Sequence, residues 1–333
     1  MKHVLVLGAG TAGTMIVNKL RRRLAPNEWR ITVVDRDDLH RYQPGYLFLP
    51  FGALDPTDVT RSRHAVLANG VQFITGEVDR VDPKSNRVDM IDGNSIGYDY
   101  LVIASGTGPR PDQTPGMLGA EWRKSIFDFF SFDGAAALAA ALPTFDGGRF
   151  VIHITDMPIK CPVAPLEFAF LADSWFRERG MRDRVDMVYV TPLSGAFTKP
   201  IAAEHLGSML AERKIIVESD FMIESVDTDR KMLVSYDERE VAFDLLVTVP
   251  LNMGADFVAR SGLGDELNYV PVDKHTLRSK QYPNIFAVGD ASDIPASKAG
   301  SVAHFAVEIF VENFMALVNG KPMTASFDGH ANC

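Results

Sequence analysis

Cysteine is almost missing from this chain. Only Cys161 and Cys333 occur in 333 residues, so no disulfide framework holds the fold, although two thiols far apart in sequence can still meet in space. Long apolar runs are missing too, and no stretch approaches the roughly 18 uninterrupted apolar residues of a transmembrane helix. The N-terminus runs directly into a strand-like segment, without the basic region, apolar region and cleavage site of an export signal. Positive charge is in deficit: 34 Lys and Arg against 43 Asp and Glu leave a net charge of -9, which argues against nucleic acid as a partner. The histidines show no metal-ligand spacing, so no metal site is predicted. There are no internal repeats and no low-complexity segment. What remains is 46% hydrophobic and 23% charged, an ordinary globular composition, in a length that suits two domains.

The chain is organised around its first thirty-five residues. The apolar run Met1 to Leu7 leads into Gly8-Ala9-Gly10-Thr11-Ala12-Gly13, and helical spacing follows through Ile16, Val17 and Leu20. A second apolar run, Ile31 to Val34, ends on Asp35. Strand, glycine turn, helix, strand and then an acid about twenty residues on is the fingerprint of a dinucleotide site. Gly8 permits the tight turn, Gly10 lets backbone approach a pyrophosphate, and Gly13 lets the helix pack on the strand. The helix start offers free N–H groups to phosphate, and Asp35 can accept hydrogen bonds from an adenosine ribose.

Further on, Gly45 to Gly52 is unusually apolar for a connection; it is expected either to pack internally or to line a pocket for an apolar substrate. Tyr98 to Ala104 reads as a buried strand ending in Ser105-Gly106-Thr107-Gly108-Pro109, where backbone can again approach a ligand. A second α/β unit begins near Arg149, with Phe150 to Ile154 as its first strand. No glycine triad follows that strand. The chain instead reads Thr155-Asp156-Met157-Pro158-Ile159-Lys160-Cys161-Pro162, whose prolines and bulky side chains oppose a second pyrophosphate and argue against bound NAD(P)H. Near the end, Asn284 to Asp290 is a strand closing on an acid that can reach a ribityl hydroxyl. A helix from Gly300 to Leu317 follows.

Three of these segments, Gly8 to Asp35, Ala104-Ser105-Gly106 and Ala287-Val288-Gly289-Asp290, resemble the flavin motifs of the two-dinucleotide-domain flavoprotein reductases. Within that group, Pro158 to Pro165 and Phe327 to Cys333 resemble the two redox-cysteine segments of sulfide:quinone oxidoreductases. Val270 to Asp273, Thr276 to Arg278 and Pro295 to Lys298 are similar as well. The resemblance spans nearly the whole chain. It implies an α/β fold of two Rossmann-like, FAD/NAD(P)-binding domains with an interleaved chain. Residues 1–112 and 243–333 would form the FAD-binding domain, the latter with the C-terminal redox cysteine, and residues 113–242 the second domain, carrying the other. Many family members have a third cysteine where this chain has Ser125 to Asp128, which points to the two-cysteine subgroup that includes flavocytochrome c sulfide dehydrogenases.

The resemblance also implies the chemistry. FAD would contact Gly8, Gly10, Thr11, Ala12, Gly13, Asp35, Arg36, Pro44, Val78, Ser105, Gly106, Gly289, Asp290 and Lys298. Sulfide would open a sulfur bridge between Cys161 and Cys333 by thiol–disulfide exchange. Cys161, beside Lys160, is assigned the flavin-attacking role, Glu167 that of proton carrier, and Lys298 that of stabilising reduced flavin from the helix start. The acceptor would be a quinone, with a c-type cytochrome as the alternative. Relatives continue past the second cysteine into amphipathic membrane-anchoring helices, so a cytoplasmic or peripheral-membrane location is expected, attachment running through a segment not in this chain. A homo-oligomer stays open. The rivals are a type-2 NADH:quinone reductase, opposed by the missing second triad; a dithiol–disulfide reductase, opposed by the absence of a close cysteine pair; and a flavin-binding sensor without turnover.

Overall fold

The computed structural model describes residues 1–331. The chain forms two compact units, the first from residues 1–41, 60–108 and 253–333 and the second from residues 42–59 and 109–252.

The first unit is built on a five-stranded parallel sheet in the order Ile285–Ala287, Tyr100–Ile103, Lys2–Leu7, Trp29–Asp35, Gln72–Thr75. Strand Lys2–Leu7 is central and pairs on both sides, Leu7 lying level with Val34 and Ile103. Buried on both faces, it is apolar from Val4 to Leu7 rather than alternating, as a doubly covered parallel strand must be. Helices Thr11–Arg23 and Gly300–Val318 pack together and are joined at their rims by Lys19–Glu308 and Arg23–Glu312 ion pairs, each 2.6 Å. By length and composition Gly300–Val318 is apolar enough to cross a bilayer. Val302, Ala306, Phe310 and Phe314 of that helix are instead buried in the core of the first unit.

The second unit repeats the theme. Its parallel sheet runs Ile126–Phe127, Leu245–Val249, Gly148–Ile154, Val185–Val190, Ile215–Glu218. Alternate residues serve opposite faces: Phe150, Ile152 and Ile154 enter one apolar cluster with helix Ala164–Glu178, while Val151, Val188 and Leu246 enter another. Strand Leu245–Val249 therefore belongs to this unit. The chain returns to the first unit near residue 253, about ten residues beyond the boundary read from the sequence, because this strand hydrogen-bonds between two strands of the second sheet. The apolar connection Gly45 to Gly52 forms a 3₁₀ segment, Gln43–Phe51, whose Tyr46 and Leu49 are buried in the second unit's core; there Phe51 meets Phe168 at 5.1 Å between ring centroids. Packing accounts for Tyr46 and Leu49, whereas Phe48 of the same segment is exposed.

Candidate active site

The glycine turn of the first unit is as tight as its residues predict. Gly8 has φ +101°, and a Cβ there would lie 2.5 Å from the Ala104 carbonyl oxygen. A Cβ on Gly13 would lie 1.8 Å from the carbonyl oxygen of Gly8. These two positions hold strand, turn and helix in contact. Gly10 differs: a Cβ there meets nothing within 4 Å. Gly10 is also the N-cap of helix Thr11–Arg23, with no side chain capping it, no acid in the first turn and Arg21, Arg22 and Arg23 in the last. The helix start is thus open, electropositive and unobstructed, the features that bind a phosphate.

Asp35 ends the neighbouring strand. Its carboxylate accepts from the backbone N–H of Ala9 at 2.7 Å and of Arg36 at 2.8 Å, and from Arg63 at 3.0 Å. A carboxylate has about four acceptor positions, so one remains for a ribose hydroxyl. Arg36 contributes this N–H while its side chain is exposed. The turn after Tyr100–Ile103 holds two orphaned hydroxyls. Ser105 Oγ and Thr107 Oγ1 are both buried without a hydrogen-bond partner, and beside them Gly106, at φ +65°, faces open space. Buried hydroxyls rarely go unpaired, so these mark a place for a polar ligand group.

Gly289 sits between two helix starts. A Cβ on it would lie 3.2 Å from Ala12 Cβ and 3.6 Å from Ala303 Cβ, so the third motif meets the first at Thr11-Ala12. Asp290 follows in a short 3₁₀ turn, Gly289–Ala291. Lys298 is buried, and its ammonium donates to the carbonyls of Asp290, at 3.1 Å, and Ser292 while lying 4.0 Å from the centre of the Tyr269 ring. Burial pushes its pKa below the ordinary lysine value, opposed by Asp290, Asp265 and Asp293. Lys298 is therefore a brace across the Asp290 turn, a setting the sequence reading did not foresee. Val78 opens strand Val78–Asp82 and is half-buried against the first unit's core. Pro44, exposed in the segment Gln43–Phe51, lies in the second unit.

In the second unit the strand Gly148–Ile154 gives way to Thr155–Val163 before helix Ala164–Glu178. Cys161 is half-buried there with φ +40°, a left-handed conformation that costs a non-glycine residue roughly 1–2 kcal/mol. Its carbonyl accepts from Ala164 N at 2.9 Å, which seats the cysteine directly ahead of the helix start. Lys160 Nζ donates to Gln43 Oε1 at 3.1 Å. Glu167 stands in the first turn of the helix, exposed by area, yet partial burial raises its carboxyl pKa above the ordinary value. Cys333 lies outside the described residues.

The pyridine nucleotide-disulphide oxidoreductase family matches residues 2–143. The mitochondrial sulfide:quinone oxidoreductase of Mus musculus is 26% identical over 99% of this chain and 74% of its own length, and that of Schizosaccharomyces pombe is 28% identical over 99% and 77%. The crystal structure of the sulfide:quinone oxidoreductase from Aquifex aeolicus superposes with a TM-score of 0.84 at 22% identity, covering 97% of this chain and 78% of that one. Over nearly its whole length the chain is therefore similar to proteins named sulfide:quinone oxidoreductases. Its class is thus that of an oxidoreductase with a flavin cofactor. A flavin dinucleotide would need a cradle in the first unit. The residues present fit one, in the open face at Gly10, the spare acceptor position on Asp35 and the orphaned hydroxyls of Ser105 and Thr107. Two contributors escaped the sequence reading. Tyr269 lies under Lys298, and Arg63 closes on the Asp35 end of the cradle; both are far from any glycine motif, and no local pattern announces them.

Proposed function

We propose that this protein oxidises sulfide to polysulfide or elemental sulfur with FAD as its cofactor and a quinone as the acceptor. The observation that carries this reading is Cys161. It occupies, in a strained backbone conformation, the strand-to-helix turn at which a second dinucleotide would otherwise be held. Eight other non-glycine residues among those described also have positive φ; what supports a functional role here is that the strained residue is a thiol placed directly ahead of a helix start.

Gly8, Gly10 and Gly13, with the N-terminus of helix Thr11–Arg23, would hold the pyrophosphate. Asp35 would hold the adenosine ribose, Ser105 and Asp290 further polar groups. A bound flavin would supply a two-electron acceptor between sulfide and the quinone. In the chain itself, HS⁻ attacks a sulfur bridge between Cys161 and Cys333; one S–S bond forms as the other breaks, leaving a persulfide on one cysteine and a thiolate on the other. The positive end of helix Ala164–Glu178 favours anionic sulfur just ahead of it. Glu167, in that same first turn with a raised pKa, can take and return the proton that sulfide carries.

NADH is disfavoured as donor, since Pro158, Pro162 and an acid in the first helical turn all oppose a pyrophosphate there. The test is an anaerobic titration of the yellow protein followed by flavin absorbance, with mass spectrometry of the released cofactor. Sulfide should bleach the flavin stoichiometrically, NADH should leave it oxidised, and the cofactor should be FAD. Rapid bleaching by NADH, or FMN in the released fraction, overturns the reading.

A further inference from the structure

Arg63 is buried at the Asp35 end of the first unit. It begins the single-turn helix Arg63–Val66 directly after strand Thr60–Ser62, which pairs antiparallel with Leu39–Arg41. Asp38 fixes the start of this turn: its carboxylate accepts from Arg63 N at 3.0 Å and from Ser62 Oγ at 2.8 Å. With the backbone held there, the side chain runs back to the glycine turn and is only 7% exposed.

Its guanidinium is divided among three residues. Nη1 donates to the Ala9 carbonyl, between Gly8 and Gly10. Nη2 lies 3.0 Å from Asp35 Oδ1 and 3.2 Å from Asp37 Oδ1. Nε donates to the Asp37 carbonyl at 2.7 Å. A planar fork can serve acceptors in two directions at once, which a lysine cannot. Asp35 Oδ1 is thereby filled by Arg63 and Arg36 N, while Oδ2 takes one bond from Ala9 N. The geometry leaves the spare acceptor position on Oδ2. Charge leads to the same place. Asp35 and Asp37 bring two negative charges beside a site for an anionic pyrophosphate, and Arg63, with Arg41 at 3.0 Å from Asp37, offsets them.

We propose that Arg63 is a positioning residue of the dinucleotide site: it sets the Asp35 carboxylate so that Oδ2 faces the adenosine ribose, and it anchors the Ala9 peptide between the two outer glycines. This rests on the FAD reading above. It makes ribose recognition depend on a residue that need not touch the cofactor.

The test uses the holoenzyme, equilibrated with an excess of equal parts FAD and its 2′-deoxyadenosine analogue; mass spectrometry gives the ratio retained. A hydrogen bond to a charged group changes affinity by about tenfold or more, so the wild type should retain FAD over the analogue by about that factor. Arg63→Met should let the ratio fall to within about twofold of unity, and Arg63→Lys, which keeps charge without the fork, should fall between. A general loss of stability lowers flavin content without changing the ratio. If Arg63→Met does not fold, Arg63→Lys decides the matter: wild-type discrimination in it overturns the proposal. Equal retention of both cofactors by the wild type would instead overturn the role of Asp35 on the ribose, and the proposal with it; a wild type that binds neither would overturn the FAD reading itself.

Discussion

Two turns in this chain occupy equivalent positions, each leading from a parallel strand into a helix, and they do opposite work. After Lys2–Leu7 the turn is Gly8 to Gly10, and helix Thr11–Arg23 begins with no acid in its first turn and no side-chain cap. After Gly148–Ile154 the turn is Thr155 to Val163, with two prolines, and helix Ala164–Glu178 begins with Glu167 in its first turn. A helix start attracts anions in either case. In the first unit that attraction is left open for an external phosphate. In the second it meets the chain's own Cys161 just ahead of the helix, while Glu167 in the first turn is partly desolvated. One topology thus leaves an open helix start in one unit and places a half-buried thiol ahead of the helix in the other, and a handful of side chains decides which.

The two turns differ most at Gly13. A methyl there falls 1.8 Å from a backbone oxygen, and backbone cannot step aside as a side-chain tip can. Gly13→Ala should cost upwards of about 3 kcal/mol, the top of the usual overpacking range, and yield little yellow, folded protein. Gly10→Ala should fold with an unchanged melting temperature and lose flavin, because its methyl meets only the space a ligand would fill. Flavin content and melting temperature on both variants check this; a yellow, stable Gly13→Ala protein would show that the cradle is looser than described.

The next largest effect belongs to the second turn. Cys161→Ser should keep its flavin and its melting temperature and lose sulfide-driven bleaching by about 10³-fold or more, as removal of a reactive nucleophile generally does. Cys161→Gly should be equally inactive yet more stable by about 1 kcal/mol, since glycine adopts φ +40° without penalty. Stopped-flow absorbance and thermal melting on the same samples separate the two quantities. A Cys161→Ser protein that melts earlier but bleaches normally would make this cysteine a packing residue.

How much of this was legible beforehand follows from the same contrast. The glycine cradle could be read because each of its residues is constrained by contacts a few positions away in sequence. That the second turn is not a glycine cradle could be read from the missing triad. The surroundings of Lys298 could not be read, because Tyr269 and the carbonyls of Asp290 and Ser292 meet it only in the fold. Arg63 left no trace in the sequence for a related reason: a buried arginine and an exposed one are the same letter, and only the Thr60–Ser62 pairing turns it inward. The domain boundary moved because strand Leu245–Val249 carries the same apolar pattern whichever sheet it joins.

Lys298 offers a smaller effect. Lys298→Met removes an ammonium shared between two carbonyls. Buried acceptors left unpaired cost about 1–3 kcal/mol, so the variant should melt earlier and bind flavin about tenfold more weakly. Unchanged flavin affinity would mean that the Asp290 turn holds its shape without the brace.

The smallest and most diagnostic change is Glu167→Gln. The carboxylate is exposed, so water can replace it as a proton carrier, and turnover should slow by less than the 10²–10⁴-fold (roughly) that general acid–base help usually provides. Stability should move the other way. A carboxyl whose pKa is raised in the folded protein binds its proton more tightly folded than unfolded. What it contributes is present in full below the ordinary glutamate range and is lost as pH rises through the raised value. At pH 4 the wild type and the amide variant should therefore melt alike, whereas at pH 7, where the wild type holds a partly desolvated charge, the variant should melt slightly later. Melting curves across that interval test it directly. A variant that melts earlier at pH 7 would mean that the charge on Glu167 is stabilised by the helix start after all, which would make the second turn more like the first than the comparison allows.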